Sequence, residues 1–112
     1  MSLNKLIIET LKPTGVPVLF QTYSGTAPTY ITFFEYNQFG ALYADDEEQE
    51  TAHFIQVDVW SKGDYTEIVQ QAKDLMTAAG FSRSTENELY EPDTKIYHKV
   101  IRFSYVEERE EI

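Results

Sequence analysis

The sequence contains no cysteine. Disulfides, cysteine-ligated zinc and thiol nucleophiles are therefore excluded, and the composition fits a reducing cytoplasm. Positive charge is also scarce. Nine Lys and Arg stand against nineteen Asp and Glu, a formal charge of −10. A protein that grips duplex DNA neutralises phosphates with a basic surface, and this chain lacks the supply. An acidic surface can instead face DNA without holding it, or mimic DNA toward a basic partner. No apolar run approaches the roughly 20 residues that cross a bilayer. MSLNKLIIETLK shows no cleavage pattern after its short apolar part. The expectation is a soluble, non-secreted protein with no membrane partner. The five glycines lie apart, at expected turns or helix ends. Without a glycine-rich phosphate loop, NTPase and dinucleotide readings fail.

Aromatic residues are what the chain has in quantity: eight Tyr, seven Phe and one Trp. This is the composition of a packed core, not of a disordered segment. A length of 112 residues favours one domain spanning 1–112. The charged tail EEREEI, residues 107–112, is expected to fray.

Leu3, Leu6, Ile7 and Leu11 recur at helical spacing, which predicts an amphipathic helix over 3–12 ended by Pro13 and Gly15. Strands are expected over Val16–Tyr23, over Tyr30–Tyr36 (YITFFEY) and over Ala52–Trp60. Asn37 to Gly40 is expected to break the second of them. In the third, Ile55, Val57 and Val59 alternate with Gln56 and Asp58, while Phe54 and Trp60 make the Gln56 face a candidate for cover as well. Tyr65, Ile68, Val69, Ala72, Leu75, Met76 and Ala79 form one stripe of a second helix. Asp64 and Glu67 suit its N-terminus and Gly80 its exit. Two more strands follow, Phe81–Leu89 and Thr94–Val106, joined at Glu91-Pro92-Asp93. Tyr97, Ile101, Phe103 and Tyr105 share one face of the last. The order is α-β-β-β-α-β-β. Short connections favour antiparallel neighbours, so the expected class is α+β: an antiparallel sheet with two helices packed on one face.

The one conspicuous cluster is Asp45, Asp46, Glu47, Glu48 and Glu50, five acids in six positions. Calcium loops alternate oxygen ligands and place a glycine at the sharp turn; this run does neither. Paired acids that hydrolyse glycosides sit about 5 to 10 Å apart in a fixed cleft, which a charged loop does not supply. The run therefore reads as a solvated loop or hairpin end. His53 and His98 fall on expected strands without metal-motif spacing, and G-x-S-x-G is absent. His98 reads as a packed or interface residue and not as a base. A base-stacking platform for single-stranded nucleic acid would need more cations than Lys99 and Arg102 beside it. No catalytic residue, metal site or cofactor is expected.

With those features in place, the sequence resembles a known family. The run PTYITFFEYNQFGALYADDEEQETAHFIQVDVWSKGDYTEIVQQAKDLMTAAGF, followed by ELYEPDTKIYHKVIRFSY, is similar to small tail-completion proteins of long-tailed phages and prophages. These are also called tail terminator or tail-to-head joining proteins. The ordered features are the Tyr30–Tyr36 strand, Ala44-Asp45, the IQVDVW strand at 55–60, the helix ending at Ala79-Gly80-Phe81, and the strand from Tyr97-His98 to Arg102-Phe103-Ser104. The similarity covers roughly residues 13 to 106. It implies a non-enzymatic α+β subunit that assembles into a ring, typically a hexamer, which caps the tail tube and joins it to the head connector while DNA passes through. It also implies assembly in the host bacterial cytoplasm and a place in the virion tail. On that reading the five acids at 45–50 project into the lumen, repelling phosphates, or dock on a basic neighbour in the connector. The alternative is an acidic binding module or DNA mimic acting as a monomer or dimer.

Overall fold

In the computed structural model of the chain, residues 2–44 and 47–108 are described. Helix α1, Leu3–Leu11, begins where the Ser2 side chain accepts a hydrogen bond from the Lys5 amide, and it buries Ile7 and Leu11. A short 3-10 turn, Lys12–Thr14, leads to strand β1, Val18–Phe20. Strands β2, Thr29–Ala44, and β3, Glu47–Ser61, form a hairpin of sixteen and fifteen residues. Helix α2, Thr66–Ala78, precedes β4, Ser82–Glu91, and β5, Ile96–Glu108. The architecture is α+β, with both helices on one face of a five-stranded sheet in the order β1-β2-β3-β5-β4.

Three expectations are corrected in detail. The sheet is mixed, because β1 runs parallel to β2, pairing Val18 with Ile31 and Phe20 with Phe33. The connection from Gln21 to Pro28 is long enough to return the chain to the same end before β2 begins. β1 is also shorter than the run Val16–Tyr23 suggested. Finally, Asn37 to Gly40 does not break β2. The register shifts there, with Glu35 opposite Ile55 and Asn37 opposite Phe54, so Tyr36 is an extra residue in a bulge. Polar and glycine residues at that point mark a bulge, which re-aims side chains while the strand continues.

The core lies between the helices and the odd-numbered face of the central strands. Ile31 and Phe33 of β2, Ile55, Val57 and Val59 of β3, and Ile101 and Phe103 of β5 are buried beneath Ile7, Leu11, Val69, Ala72 and Met76. Asp64 stands just before α2 and accepts from both the amide and the hydroxyl of Thr66. Helix α2 exits through Gly80 at φ +101, a left-handed conformation that suits glycine. The chain then drops Phe81 into the core, stacked on Tyr105 at 4.6 Å. Strand β4 lies parallel to β3 with β5 between them, so α2 is the crossover that carries the chain over the sheet.

At the β4 margin of the helix face, Glu86 ties three elements together. Its carboxylate lies 3.2 Å from Lys73 of α2, 3.2 Å from Lys99 of β5 and 3.1 Å from Arg83. Desolvation pushes the Glu86 carboxyl up, but the hydrogen bonds and charges of Lys99 and Lys73 outweigh it and hold the group below its ordinary value. A carboxyl lowered in the folded state stabilises above its unfolded value, and that contribution is lost as pH falls through the folded one.

Two outcomes follow from this packing. Phe33→Ala, at a fully buried site, should cost about 3–5 kcal/mol in urea unfolding. Glu86→Gln should lower the melting temperature at pH 7, and the gap to the unsubstituted protein should close as pH falls below the ordinary carboxylate range and through the lowered folded value of Glu86.

Candidate assembly face

Strand alternation gives the even-numbered residues of β3 and β5 the sheet face away from the helices. Among the described residues no element lies over this face. Its polar groups are nonetheless buried: Asp58 is 3% exposed, and Thr32 and His98 are buried too. Their neighbours on the same face provide the cover. Trp60 stacks on the His98 ring at 3.6 Å between centroids and 11° between planes, and its indole N–H donates to Thr32 Oγ1 at 3.0 Å. Tyr30 stacks on the other side of Trp60 at 6.0 Å, and Tyr23 on Tyr30 at 4.4 Å.

The polar groups close on one another. His98 Nε2 lies 2.7 Å from Asp58 Oδ1. A carboxylate only accepts, so Nε2 carries the hydrogen. The same oxygen accepts from the Gln56 amide at 2.9 Å, and Gln56 Oε1 accepts from Arg102 Nε at 3.2 Å. The Arg102 guanidinium sits 5.2 Å from the centre of the Tyr36 ring, and Tyr36 lies 6.1 Å from Phe54. The bulge at Tyr36 delivers that ring to this face. Burial, then the charge of Glu91 and then Tyr23, pushes the Tyr30 phenol above its ordinary value. One continuous ladder thus runs Tyr23–Tyr30–Trp60–His98–Asp58–Gln56–Arg102–Tyr36.

A Cβ at Gly25 would press on the ring end of Tyr23, whose Oη accepts a 2.9 Å hydrogen bond from the Ala27 amide.

In a chain of charge −10, the middle of this face carries one carboxylate and one guanidinium, Asp58 and Arg102, and both are engaged within it. Around them stand exposed apolar side chains: Tyr36, Leu89 at 54% and Val106. Charge depletion at the centre, with aromatic residues and arginine, is the composition of a protein–protein interface core. An exposed apolar patch of this kind marks an interaction site.

The sequence-predicted residues divide as follows. Glu47, Glu48 and Glu50 belong to β3, paired with Ala44, Tyr43 and Leu42 of β2; of the two readings, loop or hairpin end, they fall in the hairpin. Asp45 and Asp46 lie outside the described residues. Of the expected C-terminal tail, Glu107 and Glu108 extend β5, and 109–112 lie outside the described residues. Glu50 stands opposite Glu108 in the backbone register.

His98 is the packed strand residue expected of it. His53 is buried on the helix face, where Nδ1 meets Glu35 and Nε2 lies 4.0 Å from Glu107. The Asp58–His98 pair has the form that orients a general base. Here, however, the imidazole lies flat against Trp60, and among the described residues no hydroxyl bonds to it. It fixes side chains and presents no reacting group. The pairing of Asp58 with His98 was not foreseen. Its signal was available, since both residues sit on the even face of facing strands, one pair apart.

A family model described as tail completion protein gp17 matches residues 15–108. Among solved structures, a chain described as the virion of a native gene transfer agent (GTA) particle matches with a TM-score of 0.66. It is 14% identical, and the match covers 96% of this chain and 96% of that one; this is a likeness of fold. No curated protein matches.

Asp58→Ala leaves the His98 N–H and the Gln56 amide without their acceptor, and should cost about 1–3 kcal/mol. Replacing the pair together, Asp58→Leu with His98→Phe, should cost less than the two single changes summed. Urea unfolding read by the emission of Trp60, the single tryptophan, measures both.

Proposed function

We propose, from the premise that this chain belongs to the tail completion protein gp17 family, that it is a structural subunit whose copies form a ring at the end of a phage or prophage tail tube. The ring, typically a hexamer in proteins it resembles, ends the tube and joins it to the head connector, and DNA passes through without specific binding. The subunits assemble in the host cytoplasm and remain in the virion tail. The protein acts by occupying a position and carries out no reaction.

The observation that carries this reading is the face opposite the helices. The hydrogen-bonded ladder stabilises the single chain, but the exposed apolar rim of Tyr36, Leu89 and Val106 gives a chain without a partner nothing. A subunit gains a rigid surface that loses little side-chain freedom when another chain covers it. The charge of the chain supports the same reading, because an acidic inner wall keeps duplex phosphates at a distance. Asp45, Asp46, Glu47, Glu48 and Glu50 serve that wall or meet a basic neighbour. A DNA mimic would spread its acids in phosphate-like spacing, whereas these five fall within six consecutive positions of the sequence.

Light scattering and negative-stain imaging at high protein concentration, alone and with purified tail tubes, should show rings. Leu89→Arg, on the exposed rim, should leave unfolding free energy within about 0.5 kcal/mol and abolish the rings. A protein that stays monomeric under both conditions would overturn the reading.

A further inference from the structure

Resting on the ring reading, we infer that the sheet continues from copy to copy: the outer edge of β1 pairs with the outer edge of β4 of a second copy of this chain. These are the two margins of the sheet, which ends in β1 on one side and β4 on the other. Pro17 O accepts from the Ile31 amide, and the Gln21 amide donates to Phe33 O. Backbone direction alternates along a strand, so residues 17, 19 and 21 bond β2 while the amides of Val18 and Phe20 point outward. Among the described residues β4 pairs only with β5, in unbroken register from Thr85 to Glu91. Every second residue of that run offers its N–H and C=O outward. An open strand edge is a template for another strand. The margins of one open sheet face away from each other, so the contact joins different copies.

The side chains agree with this pairing. Val18 and Phe20 stand opposite Ile31 and Phe33, on the helix side of the sheet. Glu88 and Tyr90 stand opposite Lys99 and Tyr97, and Lys99 stands opposite Val59, so they too are on the helix side. A continued sheet therefore carries Glu88 and Tyr90 beneath α1 of the next copy. A groove of about 510 Å³ lies there, lined by Lys5, Ile8, Glu9, Lys12, Val16 and Val18. Its two lysines and one glutamate give a net +1, and among the described residues neither lysine forms an ion pair, whereas Lys73, Arg83 and Lys99 all do. Strand β4 carries one arginine and three glutamates, a net −2, and the Glu88 side chain is 65% exposed. Both margins also leave apolar side chains exposed: Ile8 and Phe20 on one, Leu89 and Tyr90 on the other. Unlike charge and shared apolar area make the two margins complementary.

Strand direction fits a ring. β1 runs with β2, and β4 runs against it. Rotation about an axis along the strands keeps both directions, so β1 of one copy meets β4 of the next antiparallel. Such a head-to-tail contact uses two unlike patches, and it closes when the rotation permits. It leaves the face around Trp60 free to be covered by a further chain.

The absence of cysteine makes the test direct. A chain carrying Phe20→Cys and a mass tag is mixed, under mild oxidation, with untagged chains carrying Glu88→Cys, Tyr90→Cys or Leu89→Cys, alone and on purified tail tubes. The expected result is a disulfide-linked heterodimer from Glu88→Cys or Tyr90→Cys, in yield about tenfold above that of a control cysteine at Gln71 on α2, because pairing raises the effective concentration of the thiols. Leu89→Cys, on the other side of the pleat, should stay at the control level. Lys5→Glu with Lys12→Glu should bring the Tyr90→Cys yield to the control level, and Glu88→Lys in the partner should restore it. Thermal melting by circular dichroism checks that each variant is folded. Control-level yields from both helix-side pairs, or an equal yield from Leu89→Cys, would overturn the inference. Rings on the grid without the cross-link would overturn the edge pairing alone. Cross-linked open chains without rings would overturn the ring reading and leave the edge pairing standing.

Discussion

Two helices of nine and thirteen residues cannot cover a sheet whose longest strands have sixteen and fifteen. At 1.5 Å per residue α2 spans about 20 Å, while β2 and β3 run about 50 Å. The molecule measures 53 × 24 × 23 Å, so the hairpin sets its length. The helices therefore build a core on one face and near one end. The opposite face and the far arm of the hairpin must be stabilised without a covering layer. The opposite face does so laterally. Rings lie flat on their neighbours, and Asp58, His98, Gln56 and Arg102 satisfy each other across β3 and β5. The arm is held by strand pairing from Phe39 with Ala52 to Ala44 with Glu47, and the run 45–50 carries the densest negative charge of the sequence.

Most of the fold was legible because burial on one face leaves a period. The stripe through Val69, Ala72 and Met76 and the alternation through Ile55, Val57 and Val59 both identify core positions by spacing alone. What was not legible depends on pairings distant in sequence. Nothing local to Val18–Phe20 says that it runs parallel to β2. Nothing in Asn37–Gly40 distinguishes a strand end from a bulge, since glycine and asparagine suit both. The acidic run reads as a loop or a hairpin end because contiguous carboxylates disfavour a strand, and backbone pairing to Leu42, Tyr43 and Ala44 carries Glu47, Glu48 and Glu50 into the hairpin strand itself. The assembly face was half legible. His98 was recognised as a packing residue, but its partner Asp58 is forty positions away, and the register that joins them belongs to the sheet.

The distribution of charge connects these features to assembly. Copies with ten excess negative charges repel at long range. Contact between copies then favours surfaces where charge is either settled internally or opposite in sign. The face around Trp60 is of the first kind. Membership of the tail completion family supplies the setting in which such a subunit works: the structure of a phage tail.

The most direct test is a cryo-EM map of the assembled tail end, at a resolution that places side chains. The account predicts that the sheet face bearing Tyr36, Trp60 and Leu89 is covered by another protein chain in every subunit, with the ladder from Tyr23 to Arg102 unchanged. A map in which that face is open to solvent, while the subunits join through other surfaces, would contradict it.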